Sequence, residues 1–142
     1  MLGVLFAAMA GICISLQNVF NTRVGDGVGA IEATVVVHVV GLIASIIMVV
    51  LVGGGDLTKI AEVDKIYLFG GALGVAIVIG VIKGVTMLGA AQAVMVVMLA
   101  QLAVAYLIDT MGLFGMNRVP ISFTKVAGLL IVLAGISVFR LK

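Results

Sequence analysis

Residues 30–52 read AIEATVVVHVVGLIASIIMVVLV, and Glu32 is the one carboxylate among them, with no lysine or arginine. An α-helix over these residues would be about 35 Å long, because each residue adds about 1.5 Å, and the hydrocarbon core of a bilayer is about 30 Å thick. The run therefore predicts a transmembrane helix.

Similar apolar runs lie on both sides of it. The 142-residue chain is 64% hydrophobic and 10% charged, with a mean hydropathy of +1.44, which is far from the composition of a soluble domain. We predict an all-α integral membrane protein that forms one multi-pass transmembrane domain over residues 1–142 in the lipid bilayer. The five predicted transmembrane helices are 2–20, 30–52, 66–87, 90–111 and 120–140.

Turn-forming residues mark the breaks between these runs. Asn21–Gly27 combines turn formers with charged residues, and Gly53–Lys65 is the longest polar connection. Leu88–Ala90 leaves room only for a tight turn. Pro120 suits the first turn of the fifth helix, where its missing N–H would have no helical acceptor.

Glycines recur inside the runs at helical spacings, which place them on shared helix faces. Small residues of this kind let transmembrane helices approach each other closely. The predicted helix-packing residues are Gly70, Gly74, Gly80, Gly84, Gly128 and Gly135.

The residue inventory argues against several classes of function. One cysteine, Cys13, and one histidine, His38, leave no hydrolase triad and no metal cage, and no glycine-rich phosphate loop with its lysine is present. A dispersed net charge of +2 does not suit nucleic acid. We therefore expect no enzyme activity, no cofactor and no nucleic-acid partner.

Polar residues inside apolar spans are unfavourable in hydrocarbon and mark candidate sites. His38 lies near the middle of the second predicted helix and can take up a proton near neutral pH. Gln101 lies at the centre of the fourth predicted helix. Bonds between helices would explain these residues as well as ligand contacts would. The candidate substrate-binding residues are His38, Gln101, Gln17, Asn18, Thr34 and Ser45.

Short sequence elements along the chain suggest a family. They are Gln17-Asn18 with Arg23, His38 with Gly41, Gly70–Gly74, Leu88–Ala91, Gln101-Leu102, Ile108-Asp109, and Gly112–Gly115 before Pro120. Together they resemble the YdcZ-like family, the five-helix, half-size branch of the drug/metabolite transporter superfamily. Its ten-helix relatives consist of two inverted five-helix repeats.

The resemblance implies a protein of the bacterial inner membrane that forms one inverted-repeat half of a ten-helix dimeric transporter. Its expected partners are a small-molecule substrate and a second half, either in an antiparallel homodimer or as a sister half-transporter. The small multidrug resistance relatives carry a glutamate in the first helix, whereas residues 2–20 contain no acid. Their proton-coupled export of cations is therefore not expected here.

Three functions agree with these observations. The first is a secondary transporter of a small polar solute or metabolite that works by alternating access. The second is a dual-topology channel for ions or small solutes. The third is a membrane assembly subunit without transport activity.

Lysine and arginine are balanced across the membrane in the predicted topology. Because an excess of these residues in cytoplasmic loops sets orientation, the balance predicts insertion in both orientations, which yields inverted-topology pairs. The alternative is a single orientation that is fixed by a partner or by unequal weighting of these charges. Four of the eight lysines and arginines lie on the N-terminal side, namely Lys59, Lys65, Arg118 and Lys125. The other four lie on the opposite side, namely Arg23, Lys83, Arg140 and Lys142.

Dual insertion can be measured with cysteines introduced at Leu57 and Arg118. Labelling with an impermeant thiol reagent, in intact cells and in inverted vesicles, should find each position accessible from both sides in comparable amounts. Labelling from one side alone would show a fixed orientation and would direct the search to a partner that imposes it.

Overall fold

The computed structural model describes residues 1–140. Within them the chain forms five α-helices and no β-strand. The helices are α1 (Leu2–Val28), α2 (Ala30–Val52), α3 (Phe69–Leu88), α4 (Ala90–Met111) and α5 (Phe123–Arg140), with short 3-10 helices at Leu57–Glu62, Lys65–Leu68 and Leu113–Gly115. The predicted all-α class is confirmed. Lys142, which the charge count above includes, lies outside the described residues.

Four helical segments within residues 1–140 are long and apolar enough to cross a membrane: α1, α2, the segment Lys65–Leu88 and α4. A shorter apolar helix, Phe123–Phe139, follows them. Apolar side chains cover most of the outer surface of these helices. This is the surface that lipid or a partner helix would meet, because hydrocarbon is the solvent of a membrane protein.

The chain divides into two compact units. The first unit is Met1–Met87, in which α1 and α2 pack together as a hairpin. The second unit starts at Leu88, and in it α4 packs against α5. In each hairpin the two helices are consecutive along the chain, so each pair is antiparallel.

The first helix continues through the predicted turn at Asn21–Gly27 and ends at Val28. The polar side chains of this segment bond within the helix: the Thr22 hydroxyl donates to the Asn18 carbonyl at 2.8 Å, and Arg23 pairs with Asp26 at 3.7 Å. The break comes at Gly29, whose φ of 101° and ψ of 149° suit glycine alone. A single residue therefore links α1 to α2.

The fifth helix begins at Phe123, three residues after Pro120. The Ser122 carbonyl accepts the first helical hydrogen bonds, from the N–H groups of Lys125 and Val126 at 3.1 Å each. Pro120 therefore precedes the helix instead of opening it. A helix of 18 residues remains, about 27 Å long at about 1.5 Å per residue.

The polar connection after α2 is organised by two aspartates that cap the 3-10 helices, Asp56 and Asp64. Asp56 accepts from the Thr58 hydroxyl at 2.6 Å and from the Thr58 N–H at 2.9 Å. These two hydrogen bonds, the one from the hydroxyl foremost, lower the pKa of the Asp56 carboxyl. The loop is thus locally ordered without help from the spans.

The link at Gly29 predicts a specific sensitivity to substitution. Gly29→Ala should destabilise the protein by about 1–3 kcal/mol, because a residue with a Cβ is strained in this backbone conformation. Thermal unfolding in detergent should show a lower Tm. Gly27→Ala is the matched control, since Gly27 is helical and open space surrounds its Cα, so its Tm should stay equal or rise slightly. Equal melting of both variants would contradict this account of the link.

Candidate functional site

Several polar side chains of α1 and α2 are buried between the Asn18 position and Thr34, on either side of the Gly29 link. Asn18, Asn21 and Thr22 of α1 are 5–7% exposed, and Thr34 of α2 is 3% exposed. Asn21 and Thr22 were expected in a turn, so their burial was missed. The signal that could have found them is the spacing from Asn18 to Gly25, which places small and polar residues on one helix face.

The third helix of this unit reaches the same face. A Cβ added to Gly25 would lie 2.8 Å from Ile82 Cγ2, and Ile82 is buried. Glycine at this position of α1 therefore permits the close approach of α3. A small residue at a helix contact is usual where lipid provides no hydrophobic drive for association.

A cavity of about 290 Å³ lies further from the Gly29 link, lined by residues of all three helices of this unit. Gln17 of α1, His38 of α2 and Val78 of α3 contribute to its wall. His38 follows Gly29 by nine residues and Gln17 precedes it by 12, which correspond to about 14 and 18 Å along the helices. The cavity therefore lies within the lengths of α1 and α2, away from the link that joins them.

The imidazole of His38 is held by its own helix. Nδ1 lies 2.7 Å from the Thr34 carbonyl oxygen, which can only accept, so Nδ1 carries the donated proton. In the neutral ring Nε2 is then an acceptor with a free lone pair. A Cβ added to Gly74 would lie 3.2 Å from this atom, so glycine at this position of α3 makes room for the ring.

A second cavity of about 380 Å³ adjoins His38 on α2. It is lined mostly by apolar residues of α2 and α3, and its polar members are Thr34 and His38. The Thr34 hydroxyl donates to the Ala30 carbonyl at 2.8 Å, which satisfies this buried group within its own helix. The Thr34 hydroxyl is therefore not free to donate a hydrogen bond to a ligand.

The other candidate residues lie elsewhere. Asn18 is buried and does not line either cavity, and Ser45 is exposed and donates to the Leu42 carbonyl at 2.9 Å. Gln101 lies on α4 in the second unit, where its side chain is exposed. Among the residues that the structure describes, no three histidine, cysteine, aspartate or glutamate side chains gather to hold a metal.

The glycines expected at helix contacts have different surroundings. Gly74 lies against His38, whereas open space surrounds a Cβ built at Gly70, Gly80, Gly128 or Gly135. Gly84 is half-buried. Packing of the open glycines against a partner helix stays a prediction.

The tautomer of His38 is directly measurable, because the chain has one histidine. In protein labelled with ¹⁵N-histidine, the neutral ring should show its proton on Nδ1. Gly74→Ala should shift the ring signals, since the added methyl group would displace the imidazole. Gly70→Ala, one helical turn earlier in open space, should leave them unchanged. A proton on Nε2 would show that the bond to Thr34 is wrong.

Comparison with known proteins identifies a family for the chain. Residues 2–138 match a family described as "Putative inner membrane exporter, YdcZ". No curated protein and no solved structure matches the chain. The family match spans nearly the whole sequence, confirms the resemblance drawn from short elements, and supports a multi-pass protein of the inner membrane. The chain belongs to the YdcZ family of inner membrane exporters.

Proposed function

We propose that this chain is one half of a secondary transporter that carries a small polar solute and works as an antiparallel dimer by alternating access. The observation that carries the proposal is the cavity that contains Gln17 and His38. We propose that this cavity lies near the middle of the membrane, where the substrate sites of secondary transporters are found. Membership of an exporter family supports transport in general.

The uncovered half of the first hairpin supports a dimer. Residues 1–16 of α1 and 39–52 of α2 are exposed throughout. On α1 this surface includes Gly3, Ala7 and Gly11 at four-residue spacing, and nothing lies within 4 Å of a Cβ built at either glycine. A ladder of small residues in a membrane suits a closely packed partner helix, and a second copy offers the same surface.

The inverted arrangement rests on charge and on helix number. The balanced lysine and arginine count gives neither orientation an advantage. The α5 helix, at about 27 Å, comes close to the thickness of the hydrocarbon core, and we propose it as the fifth span. An odd number of spans in two inverted copies produces the pseudo-symmetry of ten-helix transporters.

The chemistry of the cavity defines the substrate class. Nε2 of neutral His38 accepts a hydrogen bond, while the Gln17 amide both donates and accepts. No carboxylate lines this cavity among the described residues. We therefore propose a neutral solute with at least one O–H or N–H donor, small enough for about 290 Å³.

Loss of either polar wall residue should impair transport. Candidate neutral polyols and amides can be ranked by thermal stabilisation, since a ligand of the folded state raises Tm. Counterflow in proteoliposomes should then fall about tenfold or more in His38→Ala and Gln17→Ala, as expected for the loss of a hydrogen bond to a bound ligand. Ser137→Ala is the control, because its hydroxyl is exposed, donates to the Leu133 carbonyl of its own helix and does not line the cavity.

A second substitution separates proton coupling from hydrogen bonding. If His38 carries a coupling proton, transport by His38→Gln should persist while its dependence on pH disappears, because glutamine keeps a polar group but cannot titrate. Normal counterflow in the alanine variants would refute the site. Flux that follows voltage without saturation would identify a channel, and no flux of any tested solute would favour an assembly subunit.

A further inference from the structure

A groove separate from the proposed transport cavity lies between α4 and α5 in the second unit. It measures about 440 Å³, within the range of small-ligand sites. Most of its wall is apolar, including Leu102 and Val132, but Asp109 and Lys125 both line it. Neither the transport cavity nor the family match accounts for opposite charges in this groove.

The two charges share the groove without neutralising each other. Among residues 1–139, the ion pair that forms is Arg23 with Asp26, far from this groove in the sequence. Asp109 is half-buried and Lys125 is exposed. The carboxylate can therefore accept hydrogen bonds from a ligand, and the ammonium can donate to one.

The charges lie at one end of the groove and the apolar wall continues from there. Asp109 is in the last turn of α4 and Lys125 in the first turn of α5, so both lie where the two helices meet the connecting loop. Leu102 precedes Asp109 by seven residues and Val132 follows Lys125 by seven, which places both about 10 Å deeper. A matching ligand carries both charges at one end and an apolar chain at the other.

Hydrogen bonds between the loop and α4 preform this end of the groove. The Tyr106 hydroxyl accepts from the Ser122 N–H at 3.1 Å, which holds the start of α5. The Val119 N–H donates to the Asp109 carbonyl at 2.8 Å, and Arg118 Nε donates to the Thr110 carbonyl at 3.1 Å. These hydrogen bonds hold the backbone that carries Asp109 and Lys125 in place. Binding then requires less loss of conformational entropy.

We propose that this groove binds a phospholipid whose headgroup carries a primary ammonium and a phosphate, such as phosphatidylethanolamine. The ammonium donates to Asp109, the phosphate accepts from Lys125, and one acyl chain lies along Leu102, Ala105 and Val132. The position of the charges at the end of the spans suits a headgroup at the membrane interface. The apolar depth of the groove favours a lipid over a free zwitterion.

Lipid binding by the full chain can be measured by native mass spectrometry in detergent. The probes are palmitoyl-oleoyl phosphatidylethanolamine, the matching phosphatidylglycerol, and glycerophosphoethanolamine, which has the headgroup without chains. The wild type should bind phosphatidylethanolamine about tenfold or more tightly than either other probe, as expected for one charge-assisted contact or one buried chain. Asp109→Asn should abolish the preference over phosphatidylglycerol, and Lys125→Gln should weaken both lipids.

Two controls keep the test decisive. Glu62→Gln and Lys59→Gln remove the same charges from an exposed 3-10 helix outside the groove and should leave binding unchanged. Ala105→Leu keeps both charges but narrows the groove, so it should reduce lipid binding even where an Asp109 variant fails to fold. Equal binding of the two lipids, or full binding by Ala105→Leu, would refute the proposal. Equal binding of glycerophosphoethanolamine would assign the groove to a soluble zwitterion instead.

Discussion

Hydrocarbon contains no hydrogen-bonding partners, so every polar group in a membrane span must find one within the protein. This chain meets the requirement mainly inside single helices. The hydroxyls of Thr22, Thr34 and Thr86 donate to the carbonyl four residues earlier at 2.8–2.9 Å. No buried side-chain nitrogen or oxygen among the described residues lacks a partner. Polar residues can therefore lie at helix contacts without requiring a hydrogen bond across them.

Sequence reasoning located the helices well where hydrophobicity alone decides them. The predicted second and fourth helices, 30–52 and 90–111, have the observed bounds of α2 and α4. The predicted helix bounds were less accurate where polar residues form hydrogen bonds within a helix or at its start. The residues Asn21–Gly27 look like a turn by composition, yet burial and bonds within the helix carry α1 on to Gly29. At the other end of the chain, Ser122 starts α5 later than Pro120 suggested.

The candidate site was recoverable in part, for a physical reason. The unfavourable transfer of polar groups into hydrocarbon marks His38 and Gln17, and the structure places both on one cavity wall. The same reasoning marks Ser45, whose hydroxyl is satisfied by its own helix. Hydropathy reports that a polar group is present, but the partner that satisfies it depends on helix rotation and neighbours. Gly74 shows this most clearly, because its role beside His38 depends on an approach between helices.

The hydrogen bond between His38 Nδ1 and the Thr34 carbonyl determines which atom of the ring a proton would reach. When a proton joins Nε2, the ring becomes a cation and its existing bond to the carbonyl becomes charge-assisted, hence shorter and stronger. Protonation would therefore strengthen the hydrogen bond that holds the ring against its own helix. Protonation would then change the charge of the ring but not its position. The Nε2 atom would change from a hydrogen-bond acceptor into a donor. A group that donates a hydrogen bond to Nε2 and a proton on Nε2 therefore exclude each other, because both use the same lone pair.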